Sequence, residues 1–316
     1  MEFDLFGLIA QFVRDTPRAV LVGITLGSIY AMIAQGYYVT HTTTNTLNFA
    51  QGEFLMIGAM VSYSLLVTGF GLGLALTAFL PGPIALVITF AVVSAILAVM
   101  GVILERIAIR PLRHLLSVGW ILSTVGVSII LRNAAEIIWG REARAVPSIF
   151  GSTPIQVLPG VGIRPQEIFT AVIAIITMVL LFLFLKRSIL GKMLSAVALN
   201  APVAALMGID VRRMIVLSYV ISSILAGIAG ILITPTVNAL PHMGELWGLK
   251  AFAAAIIGGL ENPVGILIAG LLFGVVEQYF QTFNPALRDA VTFFILIMIL
   301  AWRPRGLFER ASVEKV

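Results

Sequence analysis

The sequence predicts an all-α, polytopic transmembrane bundle of roughly eight to ten crossings, with a short helix on the cytoplasmic face. Three observations carry this. Of 316 residues, 59% are hydrophobic and only 11% are Asp, Glu, Lys or Arg, against about 25% charged in a soluble domain. Apolar runs near the length needed to cross a bilayer recur along the whole chain. The basic residues sit in clusters between those runs. The net charge of +5 therefore reads as the positive-inside pattern of a membrane protein rather than as a nucleic-acid surface.

The chain is read as a single domain over residues 1–316. Phe3 to Val13 is a poor signal peptide, flanked by Glu2 and Asp4 and lacking a small-residue cleavage site. It forms either a helix in the membrane interface or a frayed tail. Spans are expected at Arg18 to Val39, Leu47 to Thr68, Ile84 to Leu104 and Leu115 to Ile138. Further spans are expected at Ile168 to Leu185, Met214 to Ile233 and Ala290 to Trp302. The apolar stretch Leu246 to Phe280 is too long for one span and carries turn signals in Gly258 to Gly265. It divides into Leu246 to Leu260 and Val264 to Phe280.

Charge tests that division. Arg106, Arg110 and Arg113, then Lys186, Arg187, Lys192, Arg212 and Arg213, then Arg303, Arg305, Arg310 and Lys315 should all be cytoplasmic. An even number of crossings must separate Arg213 from Arg303, and the divided stretch supplies it. The same count gives about nine crossings and an outside N-terminus. Arg14 and Arg18 mildly oppose this, and a re-entrant break near Asn48 or a short crossing at Leu72 to Leu80 would reverse it. The polar loop of residues 140–166 falls outside, either contacting something soluble or simply connecting.

Small residues recur every fourth position. Span six carries Ser218, Ser222, Ala226 and Gly230; the first span carries Gly23, Gly27 and Ala31; a later one carries Gly270 and Gly274. Such faces let helix backbones approach closely. Asn48, Gln51 and Glu53 open the second span, and an ionisable group there should face protein or water. Glu53 is read as functional; the alternative is a helix cap. Glu277 and Arg132 are read as residues near a membrane interface.

Enzyme chemistry is missing from the sequence. There are no cysteines, and His41, His114 and His242 show no metal-ligand spacing. Gly191-Lys192 is followed by Met193, not by the Ser or Thr of a P-loop, and no GxSxG elbow occurs. No catalytic, metal or cofactor residues are assigned. Uphill transport would need an ion gradient or a partner.

Residues 186–213 are cytoplasmic by charge yet oddly apolar. Ala196, Ala198, Ala201, Ala204 and Ala205 fill the segment, and Gly208 suits a helix C-terminus. A short helix exposing small apolar residues asks for a protein partner, the alternative being a linker on lipid.

At this point the sequence resembles the permease subunits of ABC importers for branched-chain and other hydrophobic amino acids. The resemblance spans nearly the whole chain. It rests on Gly23 to Ala59, Glu105 to Arg113, Gly191 to Leu232 and Gly248 to Glu277, with the ending Arg303 to Phe308. It implies that Ser195, Ala198, Asn200, Ala201, Ala204, Ala205 and Gly208 form a coupling helix on a cytoplasmic ATPase subunit. The family usually has a basic residue at the position of Ser195 and often an acid near Pro202, so no ion pair with the ATPase is implied. Asn48, Gln51 and Glu53 would lie near the translocation path. The implied partners are a second, homologous permease subunit, two ATPase subunits holding ATP and magnesium, an extracytoplasmic binding protein and the inner-membrane lipid. No nucleic acid is implied. Similar permeases carry urea, short amides or sugars; a channel or ion-coupled carrier would need paired broken helices.

Overall fold

The computed structural model describes residues 5–69, 75–112, 119–151, 153–158, 161–283, 285, 287–303 and 306–308. Helix α1 (Leu5–Thr44) leads to α2 (Gln51–Tyr63), which continues into a π turn at Ser64–Thr68. Next come α3 (Leu76–Phe79) and α4 (Gly82–Leu104), the latter running into a second π turn at Glu105–Ile109. Helix α5 (Gly119–Trp139) precedes a small antiparallel hairpin, β1 (Ile155–Leu158) and β2 (Val161–Ile163), with Ile155 opposite Ile163. Then follow α6 (Pro165–Arg187), α7 (Ile189–Leu199), α8 (Ala201–Leu206) and α9 (Val211–Val237). The last are α10 (Met243–Gly258), α11 (Pro263–Phe283) and α12 (Leu287–Trp302).

Six of these are long and apolar enough to cross a membrane: residues 16–44, 82–112, 119–139, 165–187, 211–237 and 263–282. Helices α2, α10 and α12, with 13, 16 and 16 residues, are shorter. The break expected at Gly258 to Gly265 is present: α10 stops, Gly259 takes a φ of 81°, and α11 starts at Pro263. The first span is not separate from the segment before it, because α1 runs unbroken through Pro17. Arg113, His114, Leu115, Arg305, Arg310 and Lys315 lie outside the described residues, as does part of the Leu72 to Leu80 segment.

Two contacts set the direction of α1. Thr25 Oγ1 donates to the Glu167 carbonyl at 3.2 Å, so the first third of the membrane-crossing stretch 16–44 lies beside the start of α6. Thr43 Oγ1 donates to Ser218 Oγ at 2.9 Å, near the start of α9. Helix α1 is thus parallel to α6 and antiparallel to α9. The loop after α5 is tied to the chain after α9, where Arg144 and Ala239 exchange backbone hydrogen bonds of 2.8 and 2.9 Å.

Helix α2 is buried on every side, from Gln51 to Ser62, and is apolar around most of its circumference. Its closest neighbours are α9 and α10. Those approaches depend on glycine. A Cβ at Gly52 would strike the Gly244 carbonyl and Gly248, and one at Gly230 would strike the Leu55 carbonyl. In the same way Gly23 and Gly27 lie directly against the backbone of Gly270, Leu271, Gly274 and Val275, making α1 and α11 a tightly seated pair.

The chain uses one local design twice. Helices α1 and α9 both end at an asparagine with positive φ, Asn45 at 54° and Asn238 at 63°. Asparagine tolerates positive φ better than most side chains, and Asn238, with a ψ of 158°, lies outside the left-handed helical region. Each then leads to a short helix with a Gly-Glu pair in its first turn, Gly52-Glu53 in the buried α2 and Gly244-Glu245 in the partly exposed α10. The α9–α10 connection therefore has a counterpart in the first half, between α1 and α2, which run lengths alone did not reveal.

Replacing Gly27 with Val overpacks the α1–α11 contact, and the expected destabilisation is about 1–3 kcal/mol. Thermal unfolding of the detergent-solubilised chain checks this: a lowered midpoint is expected, and an unchanged one contradicts the packing.

Candidate functional site: a polar seam between α2, α5 and α10

The polar start of α2 is built mostly for holding helices together. Asn48 Oδ1 accepts from the Ala50 amide at 3.1 Å, and Asn48 Nδ2 donates to Gln51 Oε1 at 3.4 Å. Gln51 Nε2 donates to the Ser222 carbonyl at 2.9 Å, and Ser222 Oγ donates back to Gln51 Oε1 at 2.8 Å. Gly36 leaves the space that this amide fills. Asn48 and Gln51 are thereby committed to the α1–α2–α9 junction.

Glu53 differs. Its side chain is 1% exposed. Oε1 accepts from Ser128 Oγ at 3.0 Å, while Oε2 has no hydrogen-bond partner and lies against Gly244. Ser128 is the tenth residue of the 21 in α5, so the carboxylate sits level with the middle of that span. A buried carboxylate oxygen without a partner is unfavourable unless something else binds there.

Ser128 begins a polar row on α5. At four-residue spacing come Arg132 and Glu136, one turn apart on the same side of the helix. Arg132 pairs with Glu245 on α10. His242 Nε2 lies 3.1 Å from Glu136 Oε1, and Glu136 Oε2 accepts from Arg141 Nε at 2.7 Å. Helix α5 thus meets α2 and α10 through three rungs: Ser128–Glu53, Arg132–Glu245 and Glu136–His242. Towards the start of α5 the seam turns aromatic. The Phe49 ring stacks on Trp120 at 6.4 Å between centroids and packs on Phe252 at 5.7 Å.

A second ionic cluster joins α10, α11 and α12. Lys250, 1% exposed, donates to Glu277 Oε1 at 2.7 Å and to Asp289 Oδ1 at 2.6 Å, and Arg288 also pairs with Glu277. Glu277 is 0% exposed. It is the buried anion of an interhelical cluster. Among the described residues no group of His, Asp and Glu is arranged to hold a metal.

The family described as "Branched-chain amino acid transport system / permease component" matches residues 19–300. The chain belongs to that family. It is 33% identical to the high-affinity branched-chain amino acid transport system permease protein BraD of Pseudomonas aeruginosa, over 93% of this chain and 96% of the relative. It is 32% identical to LivH of Escherichia coli, the permease protein of a system described in the same words, with the same coverage. The probable LivH of Methanocaldococcus jannaschii is 29% identical over 90% of each chain. No solved structure matches. This permease component is a helical membrane protein and one part of a larger transport system.

The residues expected to couple the permease to an ATPase fall on two helices rather than one. Pro202 in the first turn of α8 cannot continue α7, and Asn200 caps α8 by accepting from the Val203 amide at 3.1 Å. Ser195, Asn200, Ala205 and Gly208 are exposed, and Ala198 and Ala201 half-buried. Ala204 is a correction: it is 4% exposed and packs inward with Val197 and Met214. The outward face is instead larger and more apolar, with Leu199, Val203, Leu206 at 87% and Met207 at 79% exposure. Among the packing residues, Ser222 and Gly230 meet α2, Gly23, Gly27, Gly270 and Gly274 meet each other, and Ala226 is fully buried.

Sequence reasoning missed Ser128, Glu136, His242, Glu245 and Lys250. Signals existed: the four-residue row on α5, the repeated Gly-Glu pair, and a lone lysine inside an apolar run.

Replacing Lys250 with Met removes one of the two cations on the buried Glu277, leaving Arg288, at a cost of about 1–3 kcal/mol. Adding Glu277→Gln should recover part of that loss in thermal unfolding. A single variant as stable as the wild type contradicts the cluster.

Proposed function

We propose that this chain forms the translocation path for branched-chain amino acids in an ABC importer of the inner membrane. The observation that carries this is a polar seam inside an otherwise apolar bundle, in a chain that belongs to a family of branched-chain amino acid permease components. Apolar walls with a few charged groups suit a hydrophobic zwitterion better than an uncharged amide or a sugar.

The bundle crosses about nine times, the six long helices being joined by α2, α10 and α12. Sixteen residues of α10 or α12 span about 24 Å. This lies within reach of a hydrocarbon core when flanking segments complete the passage. Such a count leaves Arg106, Lys186, Arg213 and Arg303 on one side, as positive-inside charge requires. It also places the start of α1 with the loop after α5, in keeping with the Thr25–Glu167 contact.

Helices α7 and α8 act as the coupling element. Their exposed apolar face seats in a cytoplasmic ATPase subunit, where ATP and magnesium bind. A second, homologous permease subunit, a second ATPase and an extracytoplasmic binding protein complete the assembly. Substrate-loaded binding protein and ATP favour different access states of the bundle, and that difference drives transport.

Leu206→Glu and Val203→Glu test the coupling face. Each should abolish ATP-driven leucine uptake in vesicles holding the assembled importer, while the chain stays folded and in the membrane. Wild-type uptake by both variants would remove the coupling role from α8. Ala204→Glu is the wrong probe, because it buries a charge.

A further inference from the structure

We propose that the Glu53–Ser128–Arg132–Glu245 row is a recognition site for a free α-amino acid zwitterion, with Glu53 taking the ammonium group and Arg132 the carboxylate. This rests on the transport reading and specifies the residues behind its substrate class.

Four observations converge. Glu53 carries an unpartnered carboxylate oxygen, buried level with the middle of α5 and aimed at the α2–α10 contact. Its other oxygen is fixed by Ser128, so the carboxylate is oriented and retains one free acceptor. Arg132 stands one turn along α5 on the same side, which supplies the opposite charge at a short step along the seam. The acid now paired with Arg132, Glu245, has a side chain 68% exposed, whereas that of Arg132 is only 22% exposed. Glu245 is thus a partner at the surface that an incoming carboxylate can displace, in the bidentate geometry that guanidinium favours. The aromatic patch of Phe49, Trp120 and Phe252 continues the same seam and offers an apolar surface for the substrate side chain.

Access to Glu53 depends on the glycine crossing. Gly52 and Gly244 bring α2 and α10 into backbone contact directly over Oε2. Parting of the two short helices would uncover that oxygen for substrate.

The test uses the full chain in nanodiscs and saturation-transfer NMR with three probes. Leucine carries both charges, isocaproate lacks the ammonium, and isoamylamine lacks the carboxylate. The wild type should prefer leucine over either analogue by about tenfold, the worth of one charge-assisted hydrogen bond. Glu53→Gln should erase the preference over isocaproate and keep that over isoamylamine. Arg132→Gln should do the reverse, and Glu53→Asp should retain the wild-type pattern. Variants that keep both preferences, or lose both together, overturn the site. Leucine uptake by the assembled importer is measured separately. Uptake with an indifferent seam sinks this assignment alone, whereas absence of ATP-dependent leucine uptake sinks the transport reading.

Discussion

A polar group inside a lipid bilayer has no water to bond, so its partners must come from the protein itself. In this chain that requirement falls on α2, a helix buried on all sides that opens with Gln51 and Glu53. Satisfying them calls for neighbours closer than ordinary side chains allow. Glycine supplies that closeness: Gly36 makes room for the Gln51 amide, Gly230 for the Leu55 carbonyl, and Gly52 with Gly244 and Gly248 for the crossing of α2 and α10. Dispersion and hydrogen bonding, rather than hydrophobic exclusion, then hold the bundle.

Within this frame Glu53 is the exception. Gln51 and Asn48 use their capacity on the junction, but Glu53 keeps one oxygen unpaired beside the contact between two short helices. Those helices arise from matched devices, a long helix stopped at a positive-φ asparagine and a Gly-Glu pair soon after. The two long helices run antiparallel, so the short helices approach each other from opposite directions. Discontinuous helices meeting around a charged group also occur in ion-coupled carriers, so it is the family match, not this geometry, that favours a component of a larger system. Here they belong to a family whose members are components of larger systems.

Much of this was legible in the sequence, and the limits were physical. Run lengths located the six long spans, and the turn residues of Gly258 to Gly265 located the break between α10 and α11. The small-residue stripes pointed to the faces that pack, because spacing by four survives on any helix. The seam was not legible, because its partners are remote in sequence: Glu53 and Ser128 lie 75 residues apart, and Arg132 and Glu245 lie 113 apart. The pairing of Glu277 was hidden because Lys250, its counter-ion, is on another helix. Ala204 looked outward because alanine carries no sign of its rotation; packing with Met214 on α9 turns it in.

A translocation path along the polar seam requires that water reach it beside α5. The chain has no cysteine, which makes single-cysteine labelling direct. Val125 and Ile129 fall on the stripe of Arg132 and Glu136, while Ile130 and Ile137 fall on the opposite side of the helix. Each is exchanged for Cys and treated with a membrane-impermeant thiol reagent in vesicles holding the assembled importer. Labelling at Val125 and Ile129, with Ile130 and Ile137 protected, is the predicted result. Equal protection at all four positions, or labelling only at Ile130 and Ile137, would contradict the account.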